Sequence, residues 1–143
     1  MTTVQLPLDY SAIERILPHR YPFLLVDRVT EFDLDRRIVG VKNVSINERY
    51  LWHAPGKTPV LPATILTEAI AQVGAILILS KPENREKLIF FMGIERVRFR
   101  RPVCPGDVVE IAVEGIGAIR NTVVAGVDPV PLPKARPRPR RRP

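Results

Sequence analysis

The 143-residue chain has only two histidines, His19 and His53, and one cysteine, Cys104. Imidazole is the side chain whose ordinary proton affinity lies nearest neutral pH, so a loop histidine is a candidate base. His53 lies in Trp52-His53-Ala54-Pro55-Gly56-Lys57, a loop shaped by proline and glycine just ahead of a long apolar segment. His19, in Leu17-Pro18-His19-Arg20-Tyr21-Pro22-Phe23, stands at a helix-to-strand junction where capping or packing is the expected role. The apolar segment, Pro62 to about Ser80, contains a single carboxylate, Glu68. A carboxyl in apolar surroundings is paired, protonated or functional. Burial disfavours its charged form, so Glu68 is expected to keep its proton and serve as an acid while His53 serves as a base. Two groups pushed apart in this way suit the elimination of water. The plainer role for His53 is a hydrogen bond to a neighbour.

Other chemistries find little support. One cysteine excludes a disulfide scaffold, and no His/Cys cluster has zinc-ligand spacing. Gly56-Lys57-Thr58 mimics the end of a phosphate-binding loop, but Leu51 stands where a glycine is needed and the strand–loop–helix context is missing.

The elements that must position these groups can be read from periodicity. Tyr10 to Leu17 places Ile13, Ile16 and Leu17 on one helical face, and Pro18 ends the run. Pro22–Phe32 and Arg36–Val44 are rich in Val, Ile, Leu and Phe with Asp33 and Asp35 between them, which predicts an antiparallel hairpin. Pro62 is suited to the first position of a helix, where its missing N–H costs nothing. That helix is apolar nearly all round and should be buried on most faces. Glu68 and Gln72 are four apart and share one face. The stretch free of polar groups is only Val73 to Leu79, too short for a membrane span. Leu88 to Arg100 alternates like a half-buried strand, with Val97 and Phe99 on one face and Arg96, Arg98 and Arg100 on the other. Val108–Val113 predicts a further strand after the turn Pro105-Gly106-Asp107, and Ile119–Val127 is a candidate for one more. A helix embedded among antiparallel strands is an α+β pattern, in which a sheet can wrap around the apolar helix.

Composition, 45% hydrophobic and 26% charged, fits one globular domain with a core of its own. All acidic residues lie at or before Asp128. Of the formal charge of +7, six units belong to Lys134, Arg136, Arg138, Arg140, Arg141 and Arg142, which leaves +1 for the rest. The expected division is a domain over 1–128 and a disordered, Pro/Arg-rich arm over 129–143. Such an arm can hold a nucleic acid or an anionic membrane by charge alone, but it has no aromatic residue for base stacking. The start, MTTVQLPLDY, lacks the basic-then-apolar order of a signal peptide, so a cytosolic protein is expected.

Three long stretches make the chain resemble a known family. They are ILPHRYPFLLVDRV (Ile16 to Val29), KNVSINERYLWHAPGKTPVLPATILTEAIAQVG (Lys42 to Gly74) and FMGIERVRFRRPVCPGD (Phe91 to Asp107). Together they resemble the (3R)-hydroxyacyl-(acyl-carrier-protein) dehydratases of bacterial type II fatty-acid synthesis. The resemblance implies the hotdog fold, a curved antiparallel sheet around a central helix. It implies homodimers, commonly three to a hexamer, with active sites at the dimer interface. It further implies that His53 is the base that removes the proton next to the thioester carbonyl. Glu68, from the other protomer, is then the acid that protonates the departing 3-hydroxyl. The backbone N–H of Ala63 receives the charge on the carbonyl oxygen. The reaction needs no metal or organic cofactor. The outward arginines Arg98, Arg100 and Arg101 would meet the acidic surface of acyl carrier protein, or else form a solvated face.

The chain departs from that family in places. It has Trp52-His53-Ala54-Pro55-Gly56 where the family has Gly-His-Phe-Pro-Gly, and Ala63 where the family has glycine at the helix start. The Ala63 methyl restricts backbone angles and can crowd a substrate. Trp52 either lines an acyl channel or packs, with packing the favoured role. After about Glu114 the family continues through two long strands, whereas here one weak strand runs into proline and arginine, which cannot build the second. The alternative to a dehydratase is a hotdog thioesterase or a non-catalytic acyl-thioester-binding protein.

Overall fold

Seventeen residues, Ala63–Leu79, form the central helix of the computed structural model, which describes residues 5–90, 93–94, 96–114 and 124–129. The composition of this helix explains its place. Leu66, Ala69, Val73, Ile76, Leu77 and Leu79 are all buried, so no one face can be given to solvent. A shorter helix, α1 (Tyr10–Ile16), precedes it in the chain and buries Ile13. Asp9 caps α1 by accepting the Ala12 N–H at 2.9 Å. That bond, followed by one from the Ser11 hydroxyl, holds the Asp9 carboxyl below its ordinary range. The central helix is α2.

Four strands make one antiparallel sheet in the order β1 (Arg28–Asp33), β2 (Arg37–Asn43), β3 (Val108–Glu114), β4 (Val124–Pro129). The hairpin expected between Pro22 and Val44 is present, but its first arm is paired only from Arg28. Its turn places Asp35 at φ 70°, in the left-handed region that short polar side chains tolerate best. The β3 pattern alternates, with Val109, Ile111 and Val113 fully buried. α2 lies over β2 and β3. The approach is so close at Gly40 that a Cβ there would stand 2.5 Å from Cγ2 of Val73. Only glycine lets the strand lie this near the helix.

One expected element is missing. The described residues of 88–100 are in no strand, and both side-chain sets lie open, Val97 45% and Phe99 49% exposed beside exposed Arg96, Arg98 and Arg100. Alternation states which faces a strand would have, but a strand forms only where a neighbour supplies its hydrogen bonds. Within this chain no neighbour does so among the described residues. The expected basic arm lies outside the described residues apart from Pro129, which ends β4, as does the 119–123 part of the last expected strand.

Candidate functional site

His53 sits in a loop closed by two backbone hydrogen bonds. The Trp52 N–H donates to the Val60 carbonyl at 2.9 Å, and the Val60 N–H returns to Trp52 at 3.1 Å. Inside it, the Lys57 N–H reaches the Ala54 carbonyl at 3.1 Å, and Gly56 takes a φ of 69° that side chains resist. The next residue after the loop, Leu61, donates to the Val103 carbonyl at 2.8 Å. The backbone around His53 is thus fixed, while its ring is exposed and forms no hydrogen bond among the described residues. Trp52 is 57% exposed, so its expected packing is not met among the described residues: backbone pairing to Val60 leaves the indole at the surface.

Ala63 follows at the helix start. Pro62 is the N-cap, one position earlier than the sequence suggests, and its carbonyl accepts from Ile65 at 3.0 Å and Leu66 at 3.1 Å. No side chain caps the helix, so the first-turn N–H groups, that of Ala63 among them, retain the partial positive charge of a helix N-terminus. Alanine is no obstacle to the backbone here, because the residue is helical and its φ is not positive.

Glu68 differs from expectation. Its side chain is 31% exposed, not enclosed, and its nearest polar neighbours are an amide and an imidazole. The reason lies in the sequence spacing. Gln72, one turn on and 1% exposed, donates from Nε2 to Glu68 Oε1 at 3.0 Å. The same amide donates to the Phe23 carbonyl at 2.8 Å and accepts the Leu25 N–H at 2.9 Å. The buried Leu25 N–H and the buried Gln72 amide would otherwise be left unpaired, at a cost of about 1–3 kcal/mol each. His19 Nε2 stands 3.5 Å from the same Oε1, and the His19 ring packs against Phe23 with centroids 6.2 Å apart.

The structure therefore brings Glu68 together with Gln72 and His19, and not with His53, which is outside ion-pair distance of it in the same chain. Packing against Phe23 agrees with the role expected of His19, but its approach to Glu68 was not legible. Gln72 carried one signal, a polar residue on the Glu68 face of an apolar helix. Arg98, Arg100 and Arg101 are exposed on the irregular segment and at its end.

A charged surface depression elsewhere, lined by Asp33, Asp35, Arg36, Arg37 and Glu114 at the β1–β2 turn, contains none of these residues. Its ion pairs account for it: Arg37 joins Glu31 and Glu114 across three strands, and Asp35 accepts from Lys81, which lifts that ammonium above its ordinary range. Among the described residues no three His, Cys, Asp or Glu side chains gather as a metal site requires, and no helix is long and apolar enough to cross a membrane.

Comparison with known proteins supplies what geometry alone does not. A FabA-like domain model matches residues 17–129. The chain is 50% identical over 120 residues to the 3-hydroxyacyl-(acyl-carrier-protein) dehydratase FabZ of Thermomicrobium roseum, covering 83% of this chain and 79% of that one. It is 56% identical over 108 residues to the enzyme of the same name from Moorella thermoacetica, covering 75% of each. Among solved structures, the dehydratase heterocomplex ApeI:P from Xenorhabdus doucetiae matches with a TM-score of 0.63 at 19% identity, over 88% of this chain and 87% of that one. That likeness is one of fold, and the antiparallel sheet laid over α2 is the hotdog arrangement.

Proposed function

Because the chain belongs to the FabA-like family, we propose that it dehydrates (3R)-hydroxyacyl thioesters on acyl carrier protein to trans-2-enoyl thioesters in fatty-acid synthesis. The observation that carries the site assignment is Glu68: a single carboxyl on an apolar helix, with Oε1 held by Gln72. Oε2 makes no hydrogen bond among the described residues and is the oxygen free to face a leaving group.

His53 takes the proton from the carbon next to the thioester carbonyl. Negative charge moves to the carbonyl oxygen, where the Ala63 N–H at the uncapped start of α2 receives it. Glu68 gives its proton to the 3-hydroxyl, which leaves as water. His53 then loses its proton to solvent and Glu68 regains one, so the enzyme returns to its starting state.

Two features favour a homodimer as the active unit. His53 and Glu68 do not pair within one chain, and Val97 and Phe99 are about half exposed, with no covering group among the described residues. In the proposed dimer each site takes His53 from one copy and Glu68 from the other, and the dimers assemble further in threes. Covering Glu68 in this way keeps bulk water from the reacting groups. Arg98, Arg100 and Arg101 offer exposed cationic groups to the acidic carrier. We place the protein in the cytoplasm, with its carrier-borne substrate.

The test is formation of the conjugated enoyl product from a 3-hydroxyacyl thioester on acyl carrier protein, with Glu68→Gln alongside. Turnover by the parent and none by the variant is the expected result. Release of free thiol points to a thioesterase, and binding without conversion points to a carrier-binding module.

A further inference from the structure

Among the described residues, half-buried His19 is the titratable group beside Glu68 that the proposed chemistry leaves unused. Its Nε2 is 3.5 Å from Glu68 Oε1, longer than a formed hydrogen bond. Nδ1 is buried and has no partner among the described residues. The surrounding segment is fixed at several points. Arg20 donates to the carbonyls of Leu17 and His19 at 2.8 and 2.7 Å, and Gln72 binds the backbone at Phe23 and Leu25. The backbone that carries the imidazole is therefore fixed, the ring lies against Phe23, and Nε2 stands 3.5 Å from the carboxyl.

We propose that His19 is a positioning residue for Glu68, which donates from Nε2 to Oε1 and so leaves Oε2 as the oxygen that delivers the proton. The inference rests on the assignment of Glu68 as the acid. The carbonyl oxygen of a neutral carboxyl has two acceptor sites. Gln72 fills one at 3.0 Å, and His19 faces the other. The tautomer follows from burial, since a proton on Nδ1 would be a donor with no acceptor among the described residues, whereas on Nε2 it faces Oε1. A short rotation of the ring closes the gap when the site fills, as catalytic hydrogen bonds often tighten only with substrate in place.

The consequence is kinetic. As Glu68 releases its proton, negative charge grows on the carboxyl, and both N–H bonds to Oε1 strengthen. Such a contact lowers the barrier and leaves substrate binding nearly unchanged.

The experiment compares two amides of different reach in the intact protein. His19→Gln carries an N–H donor to about the position of Nε2, while His19→Asn carries the same group too short to meet Glu68. The expected result is a kcat for His19→Asn lower by about tenfold with KM within about twofold, and a kcat for His19→Gln close to the parent. Thermal unfolding is followed for both. Equal kcat in parent and His19→Asn, or parallel losses of kcat and melting temperature in both variants, overturns the proposal while the parent's turnover leaves the dehydratase assignment standing. An inactive parent, or a Glu68→Gln variant as fast as the parent, overturns the Glu68 assignment itself and the role of His19 with it.

Discussion

Glu68 is anchored inside its own chain, by an amide that also binds two backbone groups of the segment ahead of β1, whereas His53 has a fixed backbone and a ring with no hydrogen-bond partner among the described residues. The two residues assigned to one reaction are thus prepared to different depths. The proposed acid is oriented by side-chain contacts that a single fold supplies, and the proposed base is oriented only as far as its loop. Among the described residues nothing completes the base side, and in the proposed dimer a second copy does so, with the exposed apolar residues of 88–99 as the proposed contact.

Substitutions can break or sharpen that contrast. The largest effects belong to the reacting groups: Glu68→Gln and His53→Ala are each expected to lower kcat by about 100- to 10,000-fold, with circular dichroism unchanged. A folded His53→Ala protein with near-parent turnover would remove the base from the comparison. Next is Gln72→Leu, which leaves the Phe23 carbonyl and the Leu25 N–H unpaired. Urea unfolding should show a loss of about 3 kcal/mol, together with slower turnover because Glu68 loses its anchor. His53→Ala, by contrast, should leave the urea midpoint unchanged. Gly40→Ala forces a methyl against Val73 and should cost about 2 kcal/mol, and pairing it with Val73→Ala should recover part of the loss in the same assay. The smallest effect is expected of Phe99→Ser. Sedimentation should record self-association weakened by about tenfold, with no loss of monomer stability since the ring is half exposed.

The sequence reveals the elements that carry their own reasons and hides those that depend on a partner. α2 could be bounded to within a residue because its apolar run, its proline start and its length are local properties. β3 alternates against a buried face and β2 is an apolar run set off by the Asp33–Asp35 turn, so both were equally plain. The segment 88–100 alternates as clearly, but pairing is a property of two strands, and one sequence does not name the second. The same distinction applies in the site. Glu68 stands out as the one carboxylate of an apolar helix, and the spacing to Gln72 puts them on one face. Its half-exposure, and the approach of His19 from 49 positions earlier in the chain, depend on how the segment before β1 folds back over α2, which no local pattern specifies.

The central claim is that one site is shared between two copies, with His53 from one and Glu68 from the other. The direct measurement is to mix the inactive His53→Ala and Glu68→Gln proteins, let their subunits exchange, and follow enoyl product from 3-hydroxyacyl thioester on acyl carrier protein. Half of randomly paired dimers then hold one intact site out of two, so the account predicts a return to about a quarter of the parent rate. If activity stays at the level of the separate variants although mass spectrometry shows that mixed dimers have formed, the shared site is contradicted.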